Sequence, residues 1–138
     1  MDPDRAKEVS GMQLSPSSED YLEAIHQLLK EEPHVHSVQV AQRLKVSKPS
    51  VNKAMGVLKE AGLVEQEPYG TLWLTEEGER IARQVAFRHS TLKHFLTDVL
   101  GIDEATAETD ACRMEHVISN TTLVKWVEYM ARQENGGQ

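Results

Sequence analysis

Ser37-Val38-Gln39-Val40-Ala41-Gln42-Arg43-Leu44-Lys45-Val46-Ser47-Lys48-Pro49-Ser50-Val51-Asn52-Lys53-Ala54-Met55-Gly56-Val57-Leu58-Lys59-Glu60-Ala61-Gly62 is the segment from which the architecture can be read outward. Val40, Ala41 and Leu44 share one face of a short helix over residues 37–44. Lys45-Val46-Ser47 is too short for anything but a tight connection. Ser47 can cap the next helix, and Pro49 falls in its first turn, where a missing N–H costs little. Val51, Met55 and Leu58 give that helix a buried stripe, with Ala54 beside it. Gly62 supplies the left-handed stop. Two short helices around a brief turn, the second opening on polar groups, form the helix-turn-helix pattern.

The flanks extend the pattern. Leu63 to Glu67 and Thr71 to Leu74 predict two short strands around the turn Pro68-Tyr69-Gly70, which makes a wing. Upstream, Pro16-Ser17-Ser18-Glu19-Asp20 predicts a helix start capped by Ser17. Tyr21, Leu22, Ile25, Leu28 and Leu29 carry the helix to about Glu31, before Pro33. Downstream, a long helix is expected from Glu76 to about Leu100, then helices over 104–119 and 121–132. The expected fold is therefore mostly α: a winged helix-turn-helix DNA-binding domain over residues 15–75, then an all-helical domain over 76–138. Residues 1–14 read as a flexible tail. The second domain buries little surface alone, so a homodimer is expected.

The 138-residue chain has a net charge of -7, which by itself argues against DNA as a partner. Its distribution argues the other way. From Pro33 to Lys59 the only charged residues are Arg43, Lys45, Lys48, Lys53 and Lys59, all basic. A locally basic face can neutralise phosphates while acidic surface elsewhere helps set orientation. Charge alone also allows a merely solvated helix face. With a single cysteine, a start that lacks the pattern of a secretory signal and no apolar run of membrane-spanning length, a cytoplasmic location without membrane attachment is expected.

Cys112, Glu115 and His116 stand at i, i+3 and i+4, so one helix face carries a thiol, a carboxylate and an imidazole. These are ligand types for a divalent transition metal. Asp20 and Glu23 form an acidic pair on the first helix, and His89 lies between Val85 and Leu92 on the apolar side of the long one. Each has a plainer alternative: a capping acid, a solvated acid, a core histidine, a small buried thiol.

The segments Ser18-Glu19-Asp20-Tyr21-Leu22-Glu23, Phe87-Arg88-His89 and Ala111-Cys112-Arg113-Met114-Glu115-His116-Val117-Ile118-Ser119 together resemble the diphtheria-toxin-repressor family, which includes iron-dependent repressors and manganese transport regulators. The resemblance covers roughly residues 15–131. It implies a repressor that, when loaded with metal, binds a palindromic double-stranded DNA operator as a dimer and controls metal-homeostasis genes. It implies a primary metal site of Asp20, Cys112, Glu115 and His116, and a second one drawing on Glu23 and His89, with Glu115 and Glu108 as further candidates. In that family the position of Asp20 is typically Met in iron-type members and Asp in manganese-type members. The position of Cys112 is typically Cys in iron types and Glu in many manganese types. This chain mixes the two patterns. The iron-type ancillary site would place Lys93 among its ligands, and a protonated amine cannot serve. Many iron-type relatives carry a third, SH3-like domain; the length of this chain predicts the short architecture without one.

A thiolate beside carboxylates and imidazole is softer than an all-oxygen site. Fe(II) is therefore expected first and Mn(II) next, with Zn(II) able to bind in vitro. On DNA, Ser47, Lys48, Pro49, Ser50, Asn52 and Lys53 open the recognition helix. Lys48, Lys53 and Arg43 are expected on phosphates, Asn52 on a base edge, and Tyr69 or Thr71 of the wing on the backbone. An alternative is a winged-helix regulator that senses an organic effector or oxidation of Cys112. A small metalloenzyme ranks lower: the sequence holds no His-Glu-x-x-His, phosphate-cradling glycine loop or nucleophile elbow, and neither an enzymatic activity nor a small-molecule substrate is expected.

Overall fold

A computed structural model describes residues 14–68 and 70–136. The chain divides into two compact units, with the boundary between Arg83 and Gln84.

The first unit begins with α1, Pro16–Glu31. Ser15 caps it, its hydroxyl accepting from the Ser18 N–H at 3.0 Å. The expected cap was Ser17. Pro16 takes the first helical position, where its fixed φ suits the turn and no N–H is lost, so the cap falls one residue earlier. The two-residue strand β1, Val35–His36, leads into α2, Ser37–Leu44. Lys45 turns the chain with φ of 57°, and α3, Lys48–Glu60, follows. Ser47 caps α3 through the Ser50 N–H at 3.2 Å, and Gly62 turns left-handed at φ 76°. Both features match the expectation.

The wing is β2, Val64–Gln66, and β3, Thr71–Leu74. They pair antiparallel with Glu65 opposite Trp73, whose indole N–H donates to the Glu65 carboxylate at 2.8 Å. β1 adds to the other edge of β3, giving the order β1-β3-β2. Two residues are too few to show alternation, which is why β1 left no trace in the sequence pattern. Leu22, Ile25, Val35, Val40, Val51, Met55, Leu58 and Leu72 are fully or almost fully buried. They come from all three helices and the sheet, so this unit has a core of its own.

α4, Glu76–His94, starts in the first unit and ends in the second. Near its start Gly78 approaches the backbone of Leu63 so closely that a β-carbon would collide with the Leu63 carbonyl. Thr75 fixes the approach: its N–H donates to Leu63 O at 3.1 Å and its hydroxyl to Gly62 O at 2.7 Å.

In the second unit α4 widens into a π-helical turn, Phe95–Val99. The Leu100 N–H reaches back to Phe95 O, and the Thr97 hydroxyl donates to Lys93 O at 3.1 Å. A hydroxyl bonded to a carbonyl one turn back weakens and bends a helix, and here it sits within the widened turn. After Gly101, at φ 72°, come α5, Glu104–Met114, and α6, Asn120–Gly136. α5 is shorter than expected because the chain tightens after Met114, with the Val117 and Ile118 N–H groups both bonding to Met114 O. Leu92, Leu96, Ala107 and Ala111 form this unit's core, with Ile102, Met114, Ile118 and Trp126 packed against them.

Candidate metal centre

The helical unit gathers His89 and Lys93 from α4, Glu108 and Cys112 from α5, and Glu115 and His116 from the turn that follows. The turn is held by Arg88. Its Nε donates to Glu115 O at 2.9 Å, Nη2 to Ile118 O at 2.7 Å and Nη1 to Asn120 Oδ1 at 2.9 Å. One buried guanidinium thus satisfies backbone oxygens left without helical partners where α5 ends. Sequence reading missed this role. Phe87-Arg88-His89 stood out, but the acceptors lie 27 to 32 residues away.

The Glu115 carboxylate is almost fully buried and stands between two imidazoles. His89 Nδ1 lies 2.9 Å from its Oε2, and His116 Nε2 lies 3.3 Å from its Oε1. The other nitrogen of His89, Nε2, is 3.0 Å from Glu108 Oε2, and Cys112 Sγ is 3.8 Å from His89 Nδ1. The hydrogen bond to Glu115 is the largest influence on the imidazole, followed by burial, which opposes it, and then by the bond to Glu108. Together they raise the His89 pKa from 6.5 to about 9. Burial is the largest single influence on Glu108 and pushes its carboxyl up, but the hydrogen bonds from Lys93 and His89 together outweigh it and hold it below its usual value.

His89, Glu108 and Cys112 each offer a ligand atom, and these atoms lie within 4.8 Å of one another. Two ligand atoms bonded to one ion at roughly 2.0–2.3 Å lie no more than about 4.6 Å apart, so only a small adjustment of these side chains is needed for them to hold a divalent transition ion. The donor set is one nitrogen, one oxygen and one sulfur, with the Glu115 carboxylate beside it. Among the expected ligands the structure therefore joins His89 with both Cys112 and Glu115, and Glu115 with His116. Asp20 and Glu23 belong to α1 of the other unit. Asp20 is exposed, and Glu23 is partly buried and accepts from Gln27 at 3.2 Å.

On the first unit, Ser47, Lys48, Pro49, Ser50, Asn52 and Lys53 are all exposed along the start of α3. Ser47 and Ser50 also bond each other, at 2.8 Å between hydroxyls. Arg43 donates to Gln27 at 3.2 Å and to Glu31 at 2.8 Å, so its guanidinium links α2 to α1. Thr71 lies partly buried on β3, and Tyr69 falls outside the described residues, as does the tail before Leu14.

Residues 13–72 match the family described as "Iron dependent repressor, N-terminal DNA binding domain". Residues 75–135 match "Iron dependent repressor, metal binding and dimerisation domain". The chain belongs to the iron dependent repressor family. It is 35% identical over 120 residues to an uncharacterized HTH-type transcriptional regulator of Methanocaldococcus jannaschii, covering 86% of this chain and 96% of that one. It is 40% identical over 105 residues to the transcriptional regulator MntR of Escherichia coli, covering 76% of this chain and 67% of MntR. A solved manganese-dependent transcriptional repressor, in complex with manganese, superposes with a TM-score of 0.75 at 28% identity, over 83% of this chain. This chain spans about half of that protein's length, 52%. Family membership agrees with the winged-helix and helical units found in the fold and bears out the resemblance read from the sequence.

Proposed function

We propose that this iron dependent repressor family member binds a palindromic operator as a homodimer when loaded with Fe(II) or Mn(II), and so represses metal-homeostasis genes in the cytoplasm. One observation carries the reading: His89, Glu108, Cys112 and Glu115 converge in the part of the chain that matches a metal-binding and dimerisation domain. Imidazole nitrogen, thiol sulfur and carboxylate oxygens gathered in one place are the donor types that hold a divalent transition ion. Among the described residues, no helix is long and apolar enough to cross a membrane. Val99, Leu100, Val117 and Tyr129 are exposed apolar side chains on the helical unit, which supports pairing with a second copy.

In this reading Cys112, Glu115 and His116 form the primary site with Asp20 of α1, while Glu23 and His89 serve a second one with Glu115 and Glu108, and Cys112, beside His89, borders both. The support for Asp20 and Glu23 is the family resemblance. When bound, the ion supplies positive charge that offsets the desolvation and mutual repulsion of the acids. The chain's own residues do the rest. Glu115 orients both imidazoles, and Arg88 fixes the turn that presents Glu115 and His116. Lys48 and Lys53 meet phosphates, and Asn52 meets a base edge.

The thiolate of Cys112 favours Fe(II) over Mn(II) as the physiological ion, with Zn(II) able to bind in vitro. A mobility shift on DNA from the chain's own promoter, run anaerobically across these metals, tests this. The expected result is retardation at lower free Fe(II) than free Mn(II). Retardation that needs only a reductant, with chelator present, would replace the metal reading with a thiol switch.

A further inference from the structure

Glu104, Glu108 and Cys112 lie at i, i+4 and i+8 on α5, one above another. Facing them on α4 are His89 and Lys93, also four residues apart. Lys93 Nζ is 3.0 Å from Glu108 Oε2 and 3.4 Å from Glu104 Oε1. The same Glu108 Oε2 is 3.0 Å from His89 Nε2. The carboxylate oxygen beside Cys112 and His89 is therefore shared between an imidazole and an ammonium.

A protonated amine has no lone pair to give an ion, and at this range it repels one. We propose that Lys93 is a built-in cation that competes with the divalent metal for Glu108 and so sets how tightly the His89–Glu108–Cys112 cluster binds it. The proposal deepens the metal-dependent reading above and rests on it. Glu104 gives the competition a second position. It is largely exposed, with 83% of its side-chain surface accessible, and already in reach of Lys93. The ammonium can release Glu108 while keeping a carboxylate partner. Lys93 itself is only 30% accessible, so it cannot drift far from the pair without losing the packing of its stem.

The test uses the full chain, reduced and metal-free, titrated with Co(II) in competition with a chelator. Thiolate-to-cobalt charge-transfer absorption reports Cys112 engagement. Lys93→Met keeps the stem and removes the charge; Lys93→Arg keeps the charge. Lys93→Met should bind Co(II) about ten-fold more tightly than wild type, with Lys93→Arg close to wild type. Thermal melts of the metal-free proteins are run alongside. If Lys93→Met melts earlier but binds Co(II) no more tightly, Lys93 is only a staple between α4 and α5, and the proposal fails. If the wild type shows no Co(II)–thiolate absorption at all, the underlying metal reading fails as well.

Discussion

At His89 a single side chain joins two parts of the cluster. Both ring nitrogens face carboxylates, so the metal-free protein favours the imidazolium, and its pKa rises to about 9. The unfolded value is about 6.5. This proton therefore stabilises the folded state fully below about pH 6.5, and that contribution is lost as pH rises through about 9. Thermal melts in metal-free buffer should show a declining melting temperature across that window, and His89→Gln should flatten the decline. Metal must displace the same proton, so Mn(II) affinity should rise with pH over the same interval. Cys112→Ser should weaken metal binding by an order of magnitude or more while leaving the metal-free fold nearly unchanged, because the thiol is exposed. Cys112-x-x-Glu115-His116 was legible in the sequence because its spacing is local, although the single helix face expected of it is not formed: α5 ends at Met114, and Glu115 and His116 stand in the turn after it. The partners of His89 were legible only through the family resemblance, and Lys93–Glu108 only as an obstacle to a ligand set. The register between α4 and α5 depends on the π-helical turn and Gly101, which no hydrophobic period announces.

Single elements hang on a few backbone contacts. α4 begins where Gly78 presses on the carbonyl of Leu63, and only a residue without a β-carbon fits. Gly78→Ala should destabilise the protein by about 1–3 kcal/mol in chemical denaturation, the usual cost of overpacking. The turn after α5 hangs on Arg88. Arg88→Ala should cost about 2–3 kcal/mol and loosen Glu115 and His116 with it, since one buried and two part-buried acceptors lose their donor. Amide hydrogen exchange over residues 115–120 would show the loosening. The helices themselves were readable from periodicity, including α2, which spans the residues expected of it. Ends were less readable. The cap of α1 is Ser15 because Pro16 claims the next position, and α5 stops at Met114, whose carbonyl takes the Val117 and Ile118 N–H groups while the Glu115 carbonyl just beyond goes to Arg88.

Over the whole molecule the net charge is -7, yet from Pro33 to Lys59, a stretch which holds α2 and all of α3 but its last residue, Arg and Lys occur with no Asp or Glu. An acidic protein with one basic reading face tends to meet DNA in one orientation, and its affinity falls with salt in proportion to the phosphates it neutralises. Lys53 is exposed on α3. Lys53→Ala should weaken binding to every DNA sequence alike and lower the slope of log affinity against log salt by about one. Arg43 should matter less to that slope than its charge suggests, because Glu31 and Gln27 already engage its guanidinium. The basic segment was visible in the sequence; the commitment of Arg43 to α1 was not, since those partners lie 12 and 16 residues before it.

The most direct trial follows one sample of the protein bound to a labelled fragment of its own promoter, by fluorescence anisotropy at constant ionic strength. Chelator is added, then Fe(II) or Mn(II) in excess under anaerobic, reducing conditions. The account predicts that the complex dissociates on chelation and re-forms on metal addition. Anisotropy that stays high throughout, with the ion demonstrably removed, would contradict it.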